Sequence, residues 1–231
     1  MKPAPAKSID PGVLEELGRA TLQIVHDLKN QLNGLKLYAT FLRKRLESAD
    51  RSVEERETLA KLIAGLDRAA KDMTALVRYA QPVELHPQPR IDLRKIISSV
   101  VAEAAARDTG GLPRVTITAD IENEPMVGDF DPAALTEAIK AVTDDVRAVV
   151  PAREMNDVSL NARRETGTDA PTVLIEWRGV RLNARNNLFR SSIGCGRVHT
   201  ALAARIIEAH GGRLQCEADT IRAWLPLSTE K

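Results

Sequence analysis

In the first part of the chain, mostly apolar residues recur at alternating steps of three and four. We call them the seam positions. They are Leu14, Leu17, Thr21, Ile24, Leu28, Gln31, Leu35, Tyr38 and Leu42. This spacing is typical of a coiled coil or a helical bundle. A second periodic run begins near Leu59 and stops at Gln81-Pro82, because proline cannot continue the helical hydrogen-bond ladder. The two runs predict two long amphipathic helices.

The segment between the two runs is charged and contains a plausible turn at Ser48–Ser52. Two long helices joined by a short turn form an antiparallel hairpin, here predicted over residues 11–81. One hairpin cannot bury both apolar stripes, whereas two copies can pair into a four-helix bundle. The pattern therefore predicts a homodimer.

The pattern changes after the hairpin, where residues 82–90 hold three prolines and are interpreted as a linker. Beyond the linker, short strand-like and helix-like runs alternate. The predicted helices are Ile91–Ala106, Pro132–Val150 and Val198–His210, and the predicted strands are Arg114–Ala119, Val158–Ala162, Val173–Trp177, Arg213–Cys216 and Ile221–Leu225. The predicted fold class is α+β: a dimerising helical hairpin followed by an α/β sandwich over residues 91–231.

Composition and charge exclude several classes of function. The 231 residues carry a net charge of +1 and only 3% aromatic residues, so neither a nucleic-acid partner nor a charged membrane surface is expected. No apolar run approaches the roughly 20 residues of a membrane span. Residues 1–10 lack the apolar core of a signal peptide and are predicted to be a flexible leader. These features indicate a cytoplasmic protein.

The residues that could take part in a chemical reaction lie on the first helix, around His26. If the seam positions occupy a and d of a heptad, His26 falls at f and points into solvent, with Asp27 beside it and Asn30 one turn on. A neutral imidazole can attack phosphorus while a neighbouring carboxylate holds its tautomer, and an amide can orient a water or a phosphoryl oxygen. The same residue types are common on any solvated helix face, so spacing alone leaves both interpretations open.

The segment Val25–Asn33 resembles the phosphoacceptor box of histidine kinases. It has a histidine, an acidic residue next, a basic residue at plus three (Lys29) and an amide at plus four. The resemblance implies that His26 is phosphorylated, that Asp27 acts as a base, and that Asn30 assists dephosphorylation of a response regulator. It also implies a phosphoacceptor helix within a dimerising hairpin. The other histidines, His86, His199 and His210, form no metal-ligand spacing with the cysteines, so no metal is expected.

The second half resembles the ATP-binding domain of the same family in its layout. Asp129–Leu135 is similar to the start of the family's first nucleotide-binding helix, and Ala201–Gly212 to the helix that follows its glycine-rich lid. The catalytic positions differ. Ala141 and Asp145 stand where the family has two asparagines, the second a magnesium ligand, although a carboxylate can also bind magnesium.

Two further departures concern the base and the phosphates. Trp177-Arg178-Gly179 stands where the family has an Asp-x-Gly-x-Gly motif, whose aspartate binds the adenine amine. The stretch Ser191–His199 keeps two glycines, and Arg197 and His199 stand near lid glycines. ATP-dependent autophosphorylation is therefore not expected, and no cofactor is predicted.

Three functions follow. The first is a two-component phosphotransferase that exchanges phosphate between His26 and the receiver aspartates of response regulators. The second is an active sensor histidine kinase fragment with an atypical ATP and magnesium site. The third is a non-catalytic protein that binds receivers or sensor kinases.

Overall fold

The computed structural model describes residues 11–46, 53–106, 117–149, 158–166, 171–179, 198–217 and 219–228. The predicted leader, the turn at Ser48–Ser52 and the lid residues 191–197 lie outside these ranges. The chain divides into two compact units, residues 1–81 and residues 82–231.

The first unit is a hairpin of two helices, α1 (Pro11–Leu46) and α2 (Val53–Ala80). Small and branched side chains are buried between them at Val25, Ala39 and Ala75. An ion pair joins the helices, since Lys36 Nζ lies 2.5 Å from Asp67 Oδ1, and Lys71 Nζ lies 3.2 Å from the other carboxylate oxygen. Hydrogen bonds from Lys36 and then Lys71 hold the pKa of Asp67 below its ordinary value.

The predicted seam of α1 lies on the surface of the hairpin and makes little of the contact with α2. The exposed fractions are 58% for Ile24, 40% for Leu28, 54% for Leu35, 70% for Tyr38 and 52% for Leu42. The first helix thus has two neighbouring faces. One packs against α2, and the other is an apolar stripe that one hairpin leaves uncovered.

The described residues of the second unit form a five-stranded sheet, a two-stranded sheet and three helices. In chain order its elements are β1 (Gln88–Asp92), α3 (Leu93–Ala106), β2 (Ile117–Ile121), β3 (Val127–Phe130), α4 (Pro132–Val149), β4 (Val158–Thr166), β5 (Pro171–Arg178), α5 (Val198–Ala209), β6 (Arg213–Glu217) and β7 (Thr220–Pro226). The sheet order is β2-β4-β5-β7-β6, with β2 parallel to β4 and the other neighbours antiparallel. The predicted α/β architecture is confirmed.

One face of this sheet forms the core with the helices. Because side chains alternate along a strand, residues paired across strands share a face. Leu160, Trp177 and Ile221 form one such row, and all three are buried. Fully buried residues of the helices, including Ile97, Leu135 and Ala203, complete the core.

Two short strands were not predicted. β1 and β3 pair antiparallel in a separate two-stranded sheet, with Gln88 opposite Phe130 and Ile91 opposite Gly128. The last three residues of the predicted linker, 88–90, therefore belong to a strand. The third helix accordingly begins at Leu93, two residues later than expected.

The helices that border the altered nucleotide positions have well-defined ends. Asp131 caps α4, because its Oδ1 accepts the backbone N–H groups of Ala133 and Ala134 at 3.0 Å, and Pro132 occupies the first helical position. The fifth helix ends at Ala209, and the chain turns away at Gly211, whose φ of +75° suits glycine. A Cβ at Gly212 would collide with the carbonyl oxygen of Trp224, so that position requires glycine.

Candidate phosphoacceptor site and altered nucleotide site

The three predicted site residues lie together on the surface of α1. The side chain of His26 is 58% exposed, as expected of an outward heptad position. Its Nδ1 lies 3.5 Å from Asp27 Oδ1 and 3.4 Å from Asn30 Nδ2. Asn30 is close because residues four apart lie one turn along the same face of a helix, and Asp27 is close because it is the next residue in the sequence.

The two contacts to Nδ1 have different chemical consequences. Asp27 can only accept, so its contact favours the tautomer with the proton on Nδ1 and the lone pair on Nε2. The amide of Asn30 donates in its present orientation and favours the opposite tautomer, although rotation by 180° would present its oxygen instead. With the proton on Nδ1, Nε2 is a nucleophile directed away from both neighbours.

Gln23 is a fourth member of the cluster that sequence reasoning missed. Its Nε2 donates to Asp27 Oδ1 at 3.1 Å. This hydrogen bond restrains the carboxylate that contacts His26. The available signal was its spacing, since Gln23 lies four residues before Asp27 on a helix and residues at that spacing are neighbours.

Two large apolar side chains share the exposed side of α1 with His26. Leu37 and Phe41 follow it by three and about four helical turns, and they are 67% and 69% exposed. They lie on the opposite side of the helix from the stripe of Ile24, Leu35 and Leu42. The helix therefore presents apolar surface in two directions.

Trp177 lies in the core of the second unit, at the position where the family resemblance places the adenine-binding aspartate. Its side chain is fully buried, and its indole Nε1 donates to Thr143 Oγ1 on α4 at 3.1 Å. The hydroxyl of Thr143 in turn donates to the carbonyl of Ile139 at 2.7 Å. The indole N–H is therefore satisfied within the protein, as buried polar groups require.

Asp145 stands where the family resemblance places a magnesium-binding asparagine. In this structure it joins α4 to α5. Its Oδ2 accepts from the backbone N–H of Thr200 at 3.2 Å and from the Thr200 hydroxyl at 2.8 Å. Both residues are buried. The carboxylate at the predicted magnesium-ligand position thus holds the first turn of α5.

A second contact joins the opposite ends of the same two helices. There the backbone N–H of Asp131 donates a hydrogen bond to Nε2 of His210 at 3.0 Å. Its Nδ1 lies 2.7 Å from the carbonyl of Ile206. Since a carbonyl only accepts, Nδ1 carries the proton and Nε2 is the acceptor. The helices α4 and α5 are therefore hydrogen bonded at both ends.

A buried carboxylate with two arginines lies on the other face of the sheet. Glu176 accepts from Arg178 Nε at 2.5 Å and from Arg222 Nε at 2.6 Å. Burial, the largest effect, acts to raise the pKa of Glu176, but the hydrogen bonds from Arg222 and Arg178 outweigh it and the pKa is lowered.

Within the described ranges, no group of three or more histidine, cysteine, aspartate or glutamate side chains is arranged to hold a metal ion. None of the helices described is long and apolar enough to cross a membrane.

Comparisons with known proteins identify the fold. No protein-family model matches the sequence, and a search of curated proteins gives no match. Among solved structures, the Acinetobacter baumannii histidine kinase AdeS is 15% identical with a TM-score of 0.55, over 88% of this chain and 98% of that one. Full-length ShkA, crystallised in complex with AMPPNP, is 17% identical with a TM-score of 0.59, over 96% of this chain and 47% of that one. This chain therefore has the fold of the histidine kinases.

Proposed function

We propose that this protein is a two-component phosphotransferase that carries a phosphoryl group on His26 and exchanges it with the receiver aspartates of response regulators. The observation that carries the proposal is the exposed cluster of His26, Asp27 and Asn30 on α1. An exposed imidazole next to a carboxylate, in a chain with the histidine kinase fold, matches what phosphoryl transfer through histidine requires.

In the proposed step, Nε2 of neutral His26 attacks the phosphorus of a receiver aspartyl phosphate. The N–P bond forms as the bond between phosphorus and the aspartate oxygen breaks, and the receiver carboxylate leaves. The positive charge that develops on the imidazole is stabilised by Asp27, which can accept the Nδ1 proton. Return of phosphate to a second receiver reverses these steps.

The proposed partners are a second copy of the chain and receiver domains. The exposed stripe of Ile24, Leu28, Leu35 and Leu42 supports dimerisation, because soluble proteins rarely leave such a continuous apolar surface uncovered. Leu37 and Phe41, on the His26 side of α1, offer a separate apolar surface to a receiver. A cytoplasmic location is part of the same proposal.

We further propose that the second unit has lost ATP-dependent catalysis. Two features support this: Trp177 fills the core at the position of the adenine-binding aspartate, and Asp145 holds Thr200. An adenine amine without its acceptor loses a buried hydrogen bond, at a cost of about 1–3 kcal/mol before any steric clash.

His26→Gln tests the phosphotransfer function. The replaced side chain is largely exposed, so the variant should keep its helicity and its oligomeric state. It should accept no label from a phosphorylated receiver, whereas wild-type protein should acquire acid-labile phosphate. Label on the Gln variant would contradict the role of His26.

The rival kinase function is favoured by one observation, the solved structure of ShkA with AMPPNP, a nucleotide complex of a protein with the same fold. Calorimetric titration with magnesium and ATP distinguishes the two. We expect no binding at micromolar concentration. Micromolar affinity together with label from radioactive ATP on His26 would establish a kinase. If neither ATP nor a phosphorylated receiver labels wild-type protein that still binds receivers, the chain is a non-catalytic receiver-binding protein.

A further inference from the structure

Four side chains of α1 contact one another in sequence along the exposed side of the helix. Gln23 Nε2 donates to Asp27 Oδ1 at 3.1 Å, and the same oxygen lies 3.5 Å from His26 Nδ1. That ring nitrogen also lies 3.4 Å from Asn30 Nδ2. We call Gln23, His26, Asp27 and Asn30 the His26 cluster.

Distance alone does not decide which neighbour binds Nδ1 of His26. The oxygen of Asp27 and the amide nitrogen of Asn30 are almost equally far from it, and both are farther than the roughly 2.7–3.2 Å of an ordinary hydrogen bond. When Nδ1 carries a proton it donates to Asp27, and when it has none it accepts from Asn30. The two contacts therefore belong to the two neutral tautomers, and the one that favours Asp27 leaves the lone pair on Nε2.

The hydrogen bond from Gln23 is shorter than either contact of the ring, and its length is ordinary for an N–H donor. Its direction follows from its partner, because an ionised carboxylate only accepts and the N–H₂ end of the amide must face it. A carboxylate oxygen has two lone pairs, so Asp27 Oδ1 can accept from Gln23 and from His26 together. Gln23 can thus hold the carboxylate beside the ring without displacing the ring N–H.

Helix geometry explains why Gln23 makes this contact. The Cα–Cβ bonds of an α-helix tilt towards its N-terminus, so the side chain of Asp27 leans over the turn that carries Gln23. Gln31 lies at the same spacing on the other side of Asp27, in the direction from which that side chain points away. Hydrogen-bonded pairs of glutamine and aspartate four residues apart shift a local equilibrium by about twofold.

Exposure makes this restraint important. The side chains of His26 and Asp27 are both 58% exposed, so water competes for the carboxylate and packing does little to fix its rotamer. Gln23 is also exposed. An Asp27 side chain that turned into solvent would leave Nδ1 of His26 to the amide of Asn30, which favours the tautomer with the proton on Nε2.

We propose that Gln23 is a positioning residue for phosphoryl transfer: by holding Asp27 Oδ1 beside Nδ1 of His26, it favours the tautomer whose Nε2 lone pair attacks phosphorus. This inference rests on the proposed function of His26. As the N–P bond forms at Nε2 and the bond from phosphorus to the receiver aspartate breaks, the proton on Nδ1 continues to face Asp27. Loss of the hydrogen bond from Gln23 should lower both the share of this tautomer and the maximal rate of transfer, by about twofold.

Nitrogen-15 chemical shifts of the imidazole test the positioning without phosphate. Gln23→Met removes the amide and keeps an unbranched side chain of similar size and helix propensity. The signals of His26 are identified by their absence from His26→Gln. At about pH 8, where an imidazole is ordinarily neutral, the ratio of the Nδ1–H to the Nε2–H tautomer should fall by about twofold in Gln23→Met. Gln31→Met is the matched control, because the same substitution at the same spacing from Asp27 should leave the ratio unchanged.

Transfer kinetics test the consequence for the reaction. Gln23→Met should lower the maximal rate of transfer from a phosphorylated receiver by about twofold and leave the half-maximal receiver concentration unchanged, because Gln23 acts on the ring and not on the receiver. Gln23→Lys keeps a donor towards Asp27 and should restore the maximal rate. In an Asp27→Ala background, Gln23→Met should have no further effect, since its partner is gone. Gln31→Met should transfer as wild type does.

Three results with an active wild-type protein would overturn the proposal. An unchanged tautomer ratio in Gln23→Met would show that Gln23 does not place Asp27. A raised half-maximal receiver concentration with an unchanged maximal rate would make Gln23 a receiver contact. A loss of rate that persists in the Asp27→Ala background would show that Gln23 acts by another route. If wild-type protein accepts no phosphate, the proposed function fails and the role of Gln23 in transfer fails with it, while the tautomer ratio still decides whether Gln23 places Asp27.

Discussion

Replacing Trp177 or its hydrogen-bond partner should destabilise the second unit by amounts that the structure allows to be worked out. Trp177 is fully buried, so Trp177→Ala removes an entire indole from the core and leaves a cavity; the expected cost is about 3–5 kcal/mol. Thr143→Val preserves shape and burial but leaves the indole N–H without its acceptor. The expected cost is about 1–3 kcal/mol.

Thr136→Val on the same helix is the matched control for Thr143→Val. Both threonines donate a hydroxyl to the carbonyl four residues earlier, at 2.6 Å to Pro132 and 2.7 Å to Ile139. Only Thr143 also accepts from an indole. The difference between the two variants therefore measures the loss of the indole's acceptor together with the deeper burial of Thr143.

Tryptophan fluorescence during denaturation in urea is a suitable assay. Both tryptophans, Trp177 and Trp224, belong to the second unit, so the signal reports that unit and not the hairpin. Trp224 remains as the reporter in Trp177→Ala. If Thr143→Val were no less stable than Thr136→Val, or if Trp177→Ala cost under about 1 kcal/mol, the idea that the indole fills and fastens this part of the core would be wrong.

Three further predictions concern the hairpin and the far face of the sheet. Asn30→Ala should slow the loss of phosphate from a receiver while leaving transfer to His26 largely intact, because only hydrolysis needs an oriented water; Asn33→Ala is the control, and equal loss of both reactions would contradict the role of Asn30. Leu35→Glu should give a monomer by light scattering, whereas Leu37→Glu, on the opposite side of α1, should remain dimeric; a wild-type monomer with intact helices would refute the dimer. Glu176 has a lowered pKa when folded, so its stabilising effect is present above its ordinary value of 4.5 and is lost as pH falls through the folded pKa; Glu176→Gln should flatten this acid-induced loss of stability, and an unaltered pH dependence would contradict it.

Periodic patterns allowed most of the fold to be predicted, and the exceptions have local causes. The heptad spacing of α1 was visible because side chains on one face of a helix recur every three or four residues. Each strand of the five-stranded sheet overlaps a run that was predicted as a strand. The strand β1 was missed because Pro87 and Pro89 suggest a linker, and its pairing with β3 is limited to a two-stranded sheet. Short strands of this kind take their stability from partners distant in sequence.

The candidate site divides in the same way. His26, Asp27 and Asn30 could be predicted because a helix brings neighbours in sequence together in space. The replacement at Trp177 was also apparent, but its partner Thr143 lies 34 residues away and depends on how α4 packs on the sheet. The contact of Asp145 with Thr200 spans 55 residues. The sequence suggests only a metal-ligand role for this carboxylate, because no local pattern connects it to α5.

The hydrogen bonds that join α4 to α5 at both ends have a consequence for cell physiology. Asp145 with Thr200, and Asp131 with His210, are bonds made by the polypeptide itself, so the two helices need no small molecule to keep their arrangement. If the protein is the ATP-independent phosphotransferase proposed above, it responds to how many of its partners are phosphorylated and not to the ratio of ATP to ADP. Starvation would then reach it only through the enzymes upstream.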